Sequence, residues 1–158
     1  MNTSCGAPPA AEPDRPKGRV LVVDDFPSTR AALCELVQSV PWLQVVGQAD
    51  NGSQALDQVA SLRPDVVLLD LAMPALDGLS VTRLIRQRHP EMKVVVVSVH
   101  DGAAWKKASF AHGADAFVSK NHAHLELLPE LERLFHAPAD GSGGPSQSIA
   151  SSEPLSKP

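Results

Sequence analysis

Val20-Leu21-Val22-Val23-Asp24-Asp25 and Val66-Val67-Leu68-Leu69-Asp70 each run four apolar residues into acid. Val94-Val95-Val96-Val97 runs in the same way into Ser98, and Ala116-Phe117-Val118 into Ser119-Lys120. Unbroken apolar runs of this length, closed by polar residues, read as parallel strands buried on both faces. In an open parallel sheet, chemistry gathers at the carboxyl ends of the strands. Three carboxylates, a hydroxyl and an ammonium are therefore expected at one edge. Clustered carboxylates repel one another unless a cation joins them, and a hard divalent ion suits oxygen ligands. The ammonium of Lys120 suits an anion held beside that cation.

Working outward, helical patterns fill the gaps between these runs. A first strand is expected over about 19–24, then a helix from Pro27 to Val40 with Leu33, Leu36, Val37 and Val40 on one stripe. Pro27 suits a first helical turn and Pro41 marks the end. A second strand over about 45–49 leads to a helix after Asn51-Gly52, with Ala55, Leu56, Val59 and Ala60 inward, stopping near Arg63-Pro64. The third strand, about 65–70, is followed by a helix over Gly78 to Arg88. A fourth strand over Lys93 to Ser98 precedes a helix from Ala103 to His112, with Gly113 as its C′ residue. After a fifth strand, Ala116 to Ser119, Leu127, Leu128, Leu131, Leu134 and Phe135 share one face of a last helix. Pro129 falls inside that pattern, so the helix is either bent there or regular only from near Leu128. The fold class is α/β: five βα units with right-handed crossovers, hence a doubly wound parallel sheet.

Length and composition fit one domain. The chain has 158 residues, 43% of them hydrophobic, and a net charge of -4 with scattered basic residues. That balance gives no hint of a nucleic-acid surface. No apolar run approaches the roughly 20 residues of a membrane span, and residues 1–18 have no apolar core of a secretory signal. Those residues read as a disordered arm, and 137–158, rich in Ser, Pro and Gly, as a disordered tail, leaving 19–136 as the folded unit. Cys5 and Cys34 do not form a disulfide framework. Cys34 is expected to be buried, and a cytoplasmic setting fits both thiols.

Asp24-Asp25, Asp70 with Met73-Pro74 and Gly78, Ser98, Phe117 and Lys120 form an ordered set at the ends of four strands. In this set the chain resembles the receiver (phosphoacceptor) domain of two-component response regulators, over about Arg19 to Phe135. Each motif alone is common, but the ordered set is specific. The resemblance implies a flavodoxin-like five-stranded sheet in the order 2-1-3-4-5 with five helices. It implies Asp70 as phosphoacceptor, a carboxylate nucleophile toward phosphorus. Asp24, Asp25 and Asp70, with a backbone carbonyl at Ala72, would hold Mg2+, which keeps several waters and takes few carboxylates. Lys120 and Ser98 would contact phosphoryl oxygens, Ser being a usual alternative to Thr. Phe117 would turn inward when Ser98 is drawn to the phosphoryl group, a two-state switch.

The implied partners are a histidine kinase or histidine phosphotransfer protein as donor, and an output protein on the face of the fourth helix, fifth strand and fifth helix. Neither direct nucleic-acid binding nor a membrane is expected, and the only chemistry is phosphoryl acceptance with slow self-dephosphorylation. Gly113 to Lys120, without a following proline, looks most like receivers of the NarL/FixJ subfamily. Because little chain follows Phe135, the expectation is a single-domain regulator. Asn121 stands where many receivers carry a cis proline; a non-proline cis bond costs about 2.5–4 kcal/mol, which favours trans and leaves the reach of Lys120 open. Val99 is bulkier than the residue often found there. A phosphorylation-independent interaction module is the alternative, and the intact acids, Ser98 and Lys120 argue against it. A haloacid dehalogenase-like hydrolase needs a second Asp where this chain has Ala72.

Overall fold

The computed structural model describes residues 18–136. The expected C-terminal tail, and all of the expected N-terminal arm but Gly18, lie outside the described residues. Strands and helices alternate as β1 (Gly18–Val23), α1 (Pro27–Gln38), β2 (Leu43–Ala49), α2 (Gly52–Leu62), β3 (Val66–Asp70), α3 (Gly78–Arg88), β4 (Lys93–Ser98), α4 (Ala103–Ala111), β5 (Ala116–Ser119) and α5 (Ala123–His136). A 3-10 turn, Lys120–His122, joins β5 to α5. The five strands lie in the order β2-β1-β3-β4-β5 and every neighbouring pair is parallel. This is the flavodoxin-like arrangement that the receiver resemblance implied.

The central strand β3 is buried along its whole length. Successive side chains point to opposite faces of the sheet. Val66 and Leu68 join Val20, Val22, Leu33 and Leu127 in one layer. Val67 and Leu69 join Leu21, Val23, Val59 and Ile85 in the other. Helices therefore cover both faces, which is why these strands are continuously apolar rather than alternating. Leu127 and Leu131 of α5 are fully buried, and Leu128, Leu134 and Phe135 pack around them. Cys34 is buried and free, as expected.

Some boundaries differ from the sequence reading. Helix α1 stops at Gln38, not Val40. Pro41 disfavours a helical conformation at the residue before it, and Ser39 closes the helix by bonding the Leu36 carbonyl through both Oγ and N–H. Strand β2 begins two residues early because Leu43 pairs with Gly18 and is buried. Ala60, expected inward, is exposed. The buried stripe of α2 is Gly52, Ala55 and Val59; Ala60 is rotated about 100° from Val59, away from the sheet. Helix α5 begins at Ala123 and runs through Pro129, so its regular part does not start at Leu128. The missing N–H of Pro129 would have bonded the Leu125 carbonyl. Leu125 itself is 64% exposed. Gly113 takes the expected C′ role after α4, at φ +108.

Candidate functional site

The register of β1 against β3 ends with Val23 opposite Leu69. One step further come Asp24 and Asp70, on the side chosen by Val20, Val22, Val66 and Leu68. Both acids are buried. Three of the four polar atoms of Asp24 have hydrogen-bond partners. Its N–H donates to the Ala49 carbonyl at 3.1 Å. Its carbonyl accepts from Arg30 Nη1 at 2.7 Å. Its Oδ1 accepts the Phe26 N–H at 2.8 Å. Its Oδ2 lies 2.7 Å from Lys120 Nζ, yet off the hydrogen-bond directions and with no other partner. That contact is an ion pair without an aligned hydrogen bond. Asp70 Oδ1 lies 3.3 Å from the same ammonium and accepts the Ala72 N–H at 3.3 Å.

Asp25, half-buried, completes a trio in which one oxygen from each carboxylate lies within 4.8 Å of the others. Three negative charges face one positive charge, and a buried oxygen is left without a hydrogen bond. An all-oxygen, electron-rich cluster of this kind fits a small hard dication. The structure thus brings together Asp24, Asp25, Asp70 and Lys120. It places Ala72 at the exposed rim of the same turn. No cis peptide bond occurs among the described residues, so Lys120-Asn121 is trans, and Lys120 nevertheless reaches both acids.

Burial pushes the Asp70 carboxyl above the ordinary carboxylate range; Lys120 opposes this and Asp24 adds to it. The folded value lies above the unfolded one, so folding is favoured most when Asp70 is protonated. Its contribution falls as pH rises from the unfolded value through the folded value, then levels. Asp70→Asn escapes that loss. Urea midpoints of Asp70→Asn and parent, measured without metal from acid to neutral pH, will diverge with rising pH in favour of the asparagine. Parallel curves would mean that the carboxylate is not desolvated.

Ser98 is fully buried at the end of β4, and its Oγ accepts the His100 N–H at 2.9 Å. The His100 ring stacks on Trp105, centroids 5.2 Å apart. Phe117 is half-buried, packed against the cluster of Leu71, Val96 and Ala114. The Lys106 ammonium lies 6.0 Å from the centre of its ring. Val99, Trp105 and Phe110 are exposed. Gly78, the first residue of α3, approaches the chain so closely that a Cβ there would collide with the Asp70 carbonyl.

Sequence reasoning missed three residues around the site. Arg30 fastens the backbone at Asp24. Asp101 and Ser119 hydrogen-bond to each other at 3.0 Å. No spacing marks them, because each pairs with a residue from a different element.

Residues 20–132 match the response regulator receiver domain family. The chain is 37% identical over 117 residues to the response regulator GacA of Pseudomonas viridiflava, covering 74% of this chain and 55% of that protein. It is 45% identical over 117 residues to a protein-glutamate methylesterase/protein-glutamine glutaminase of Symbiobacterium thermophilum, covering 73% of this chain and 32% of that one. It therefore spans about half the length, or less, of these relatives. Among solved structures, it is similar to the signal receiver domain of NarL from Mycobacterium tuberculosis, at TM-score 0.73 and 31% identity, covering 78% of this chain and 99% of that one. The response regulator domain of Thermotoga maritima CheB matches at TM-score 0.69 and 32% identity, over 74% of this chain and 95% of that one.

Proposed function

The chain belongs to the response regulator receiver domain family, and we propose that it accepts a phosphoryl group on Asp70 and uses the new charge to reset a protein-binding face. The observation that carries this reading is the convergence of Asp24, Asp25, Asp70 and Lys120 at one end of the sheet. An Asp70 oxygen attacks the phosphorus of a phosphohistidine on a histidine kinase or phosphotransfer protein. The new O–P bond forms as the P–N bond breaks, and the imidazole leaves with the electron pair and takes up a proton. Asp24, Asp25 and Asp70, with the Ala72 carbonyl, would hold Mg2+, which when bound neutralises charge between carboxylate and phosphoryl oxygens.

Lys120 supports the same charge as a compact ammonium on a flexible stem. Ser98 gives up the His100 N–H to donate its hydroxyl to a phosphoryl oxygen. Phe117 follows into the space that Ser98 vacates. The face of α4, β5 and α5 then presents a changed surface to an output protein. Ala72 has no side-chain polar atom to orient a water, so loss of the phosphoryl group is slow.

Intact mass after incubation with acetyl phosphate and Mg2+ tests this reading. One phosphoryl adduct is expected, lost without Mg2+ and lost in Asp70→Asn. The absence of an adduct, together with no beryllofluoride binding, would leave a phosphorylation-independent binding module.

A further inference from the structure

Ser119 is buried between two parts of the site that the sheet alone does not join. It ends β5 opposite Ser98 of β4, and only 5% of it is exposed. A hydroxyl has one proton to donate and lone pairs to accept, and Ser119 uses both functions. Its Oγ donates to Asp101 Oδ2 at 3.0 Å and accepts the Asn121 N–H at 3.2 Å. Its own N–H donates to Glu126 Oε1 at 3.2 Å. The Asn121 bond caps the 3-10 turn whose first residue is Lys120. Asp101 belongs to the loop after Ser98, the loop that also places the His100 N–H on Ser98 Oγ.

We propose that Ser119 is a positioning residue: its hydroxyl, anchored by Asp101, sets the turn that aims the Lys120 ammonium at Asp24 and Asp70. The inference rests on the phosphoacceptor reading of this site. Lys120 carries its charge at the tip of a long stem, so a small rotation of its backbone swings Nζ away from both carboxylates. Without the hydroxyl, the Asn121 N–H loses its cap and the Asp101 carboxylate its donor. The ammonium then competes less for the acids and meets an incoming phosphoryl group less well. Metal binding and phosphoryl capture should therefore move in opposite directions. A merely structural role would weaken both.

The experiment compares parent, Ser119→Ala, Ser119→Thr and Asp101→Ala, each with and without Lys120→Gln. Mg2+ affinity is read by titration, and phosphoryl capture from acetyl phosphate by intact mass over time. Ser119→Ala should bind Mg2+ about threefold more tightly, because a competing cation is loosened, and capture phosphoryl about tenfold more slowly. Ser119→Thr should restore both values, since threonine also caps through its hydroxyl. Asp101→Ala should fall between. In Lys120→Gln, Ser119→Ala should change neither value.

Parent-like behaviour of Ser119→Ala would overturn the inference. So would parallel loss of metal and phosphoryl binding, or an effect that persists in Lys120→Gln. If the parent itself captures no phosphoryl group, the phosphoacceptor reading fails by that result alone. The Mg2+ titration then still decides: equal affinity in parent and Ser119→Ala overturns the role given to Ser119.

Discussion

Lys120→Ala will unfold at a much lower urea concentration than the parent when metal is absent, a loss of about 3–5 kcal/mol. The reason lies at Asp24. Its Oδ2 is fully buried, lacks a hydrogen bond, and faces the Lys120 ammonium at 2.7 Å. Removing one partner of a buried pair leaves the other as an uncompensated charge, which costs far more than an exposed ion pair is worth. Here the ammonium also screens Asp70, so alanine leaves two buried carboxylates facing each other. Mg2+ held by the acidic trio would carry the missing charge, so saturating metal should return most of the loss and stabilise Lys120→Ala more than the parent. The check is urea unfolding with chelator and with Mg2+. A loss under about 1 kcal/mol, with equal metal responses, would show that Lys120 behaves as a solvated surface lysine.

Gly78→Ala will damage both the fold and the site. The added methyl would meet the Asp70 carbonyl and the Leu71 Cα, both backbone atoms. A flexible side chain can move aside, but backbone in a buried strand end cannot without shifting its neighbours. Overpacking of this kind costs about 1–3 kcal/mol. The atoms that must move carry the Asp70 side chain, so its oxygens leave the position shared with Asp24 and Lys120. Displacement of a reacting group by about 1 Å costs on the order of 100-fold in rate. Phosphoryl capture by Gly78→Ala should therefore fall about 100-fold, with the melting temperature lowered by several degrees. A variant that keeps the parent rate would show that α3 can retreat without carrying Asp70 along.

The strands were legible because burial on both faces demands continuous apolar runs, and Val20–Val23, Val66–Leu69 and Val94–Val97 supply them; their order in the sheet came from the receiver resemblance, since apolar runs do not choose neighbours. The meeting of Asp24 with Asp70 was legible too, since both end buried runs that pair in parallel. The limits of α1 and β2 were less so. They depend on Ser39 closing a helix and on Leu43 pairing with Gly18, which are contacts rather than patterns. Ala60 misled because alanine is apolar enough for a core yet is readily exposed on a helix. Helix α5 runs through Pro129, and the residue whose carbonyl loses that N–H, Leu125, is an exposed one. Arg30, Asp101 and Ser119 could not be read from spacing, because a hydrogen bond between elements leaves no period in the sequence.

The stacking of His100 on Trp105 gives the molecule its own optical gauge. Trp42 and Trp105 are its only tryptophans, and it has no tyrosine. The first sits edge-on to Phe135 at the end of the sheet remote from the acids, where its carbonyl accepts the Gly18 N–H. The second rests on the loop that must rearrange if Ser98 lets go of His100. Ultraviolet emission therefore comes from one chromophore beside the loop that would rearrange and another at the opposite end of the sheet, without any dye or tag.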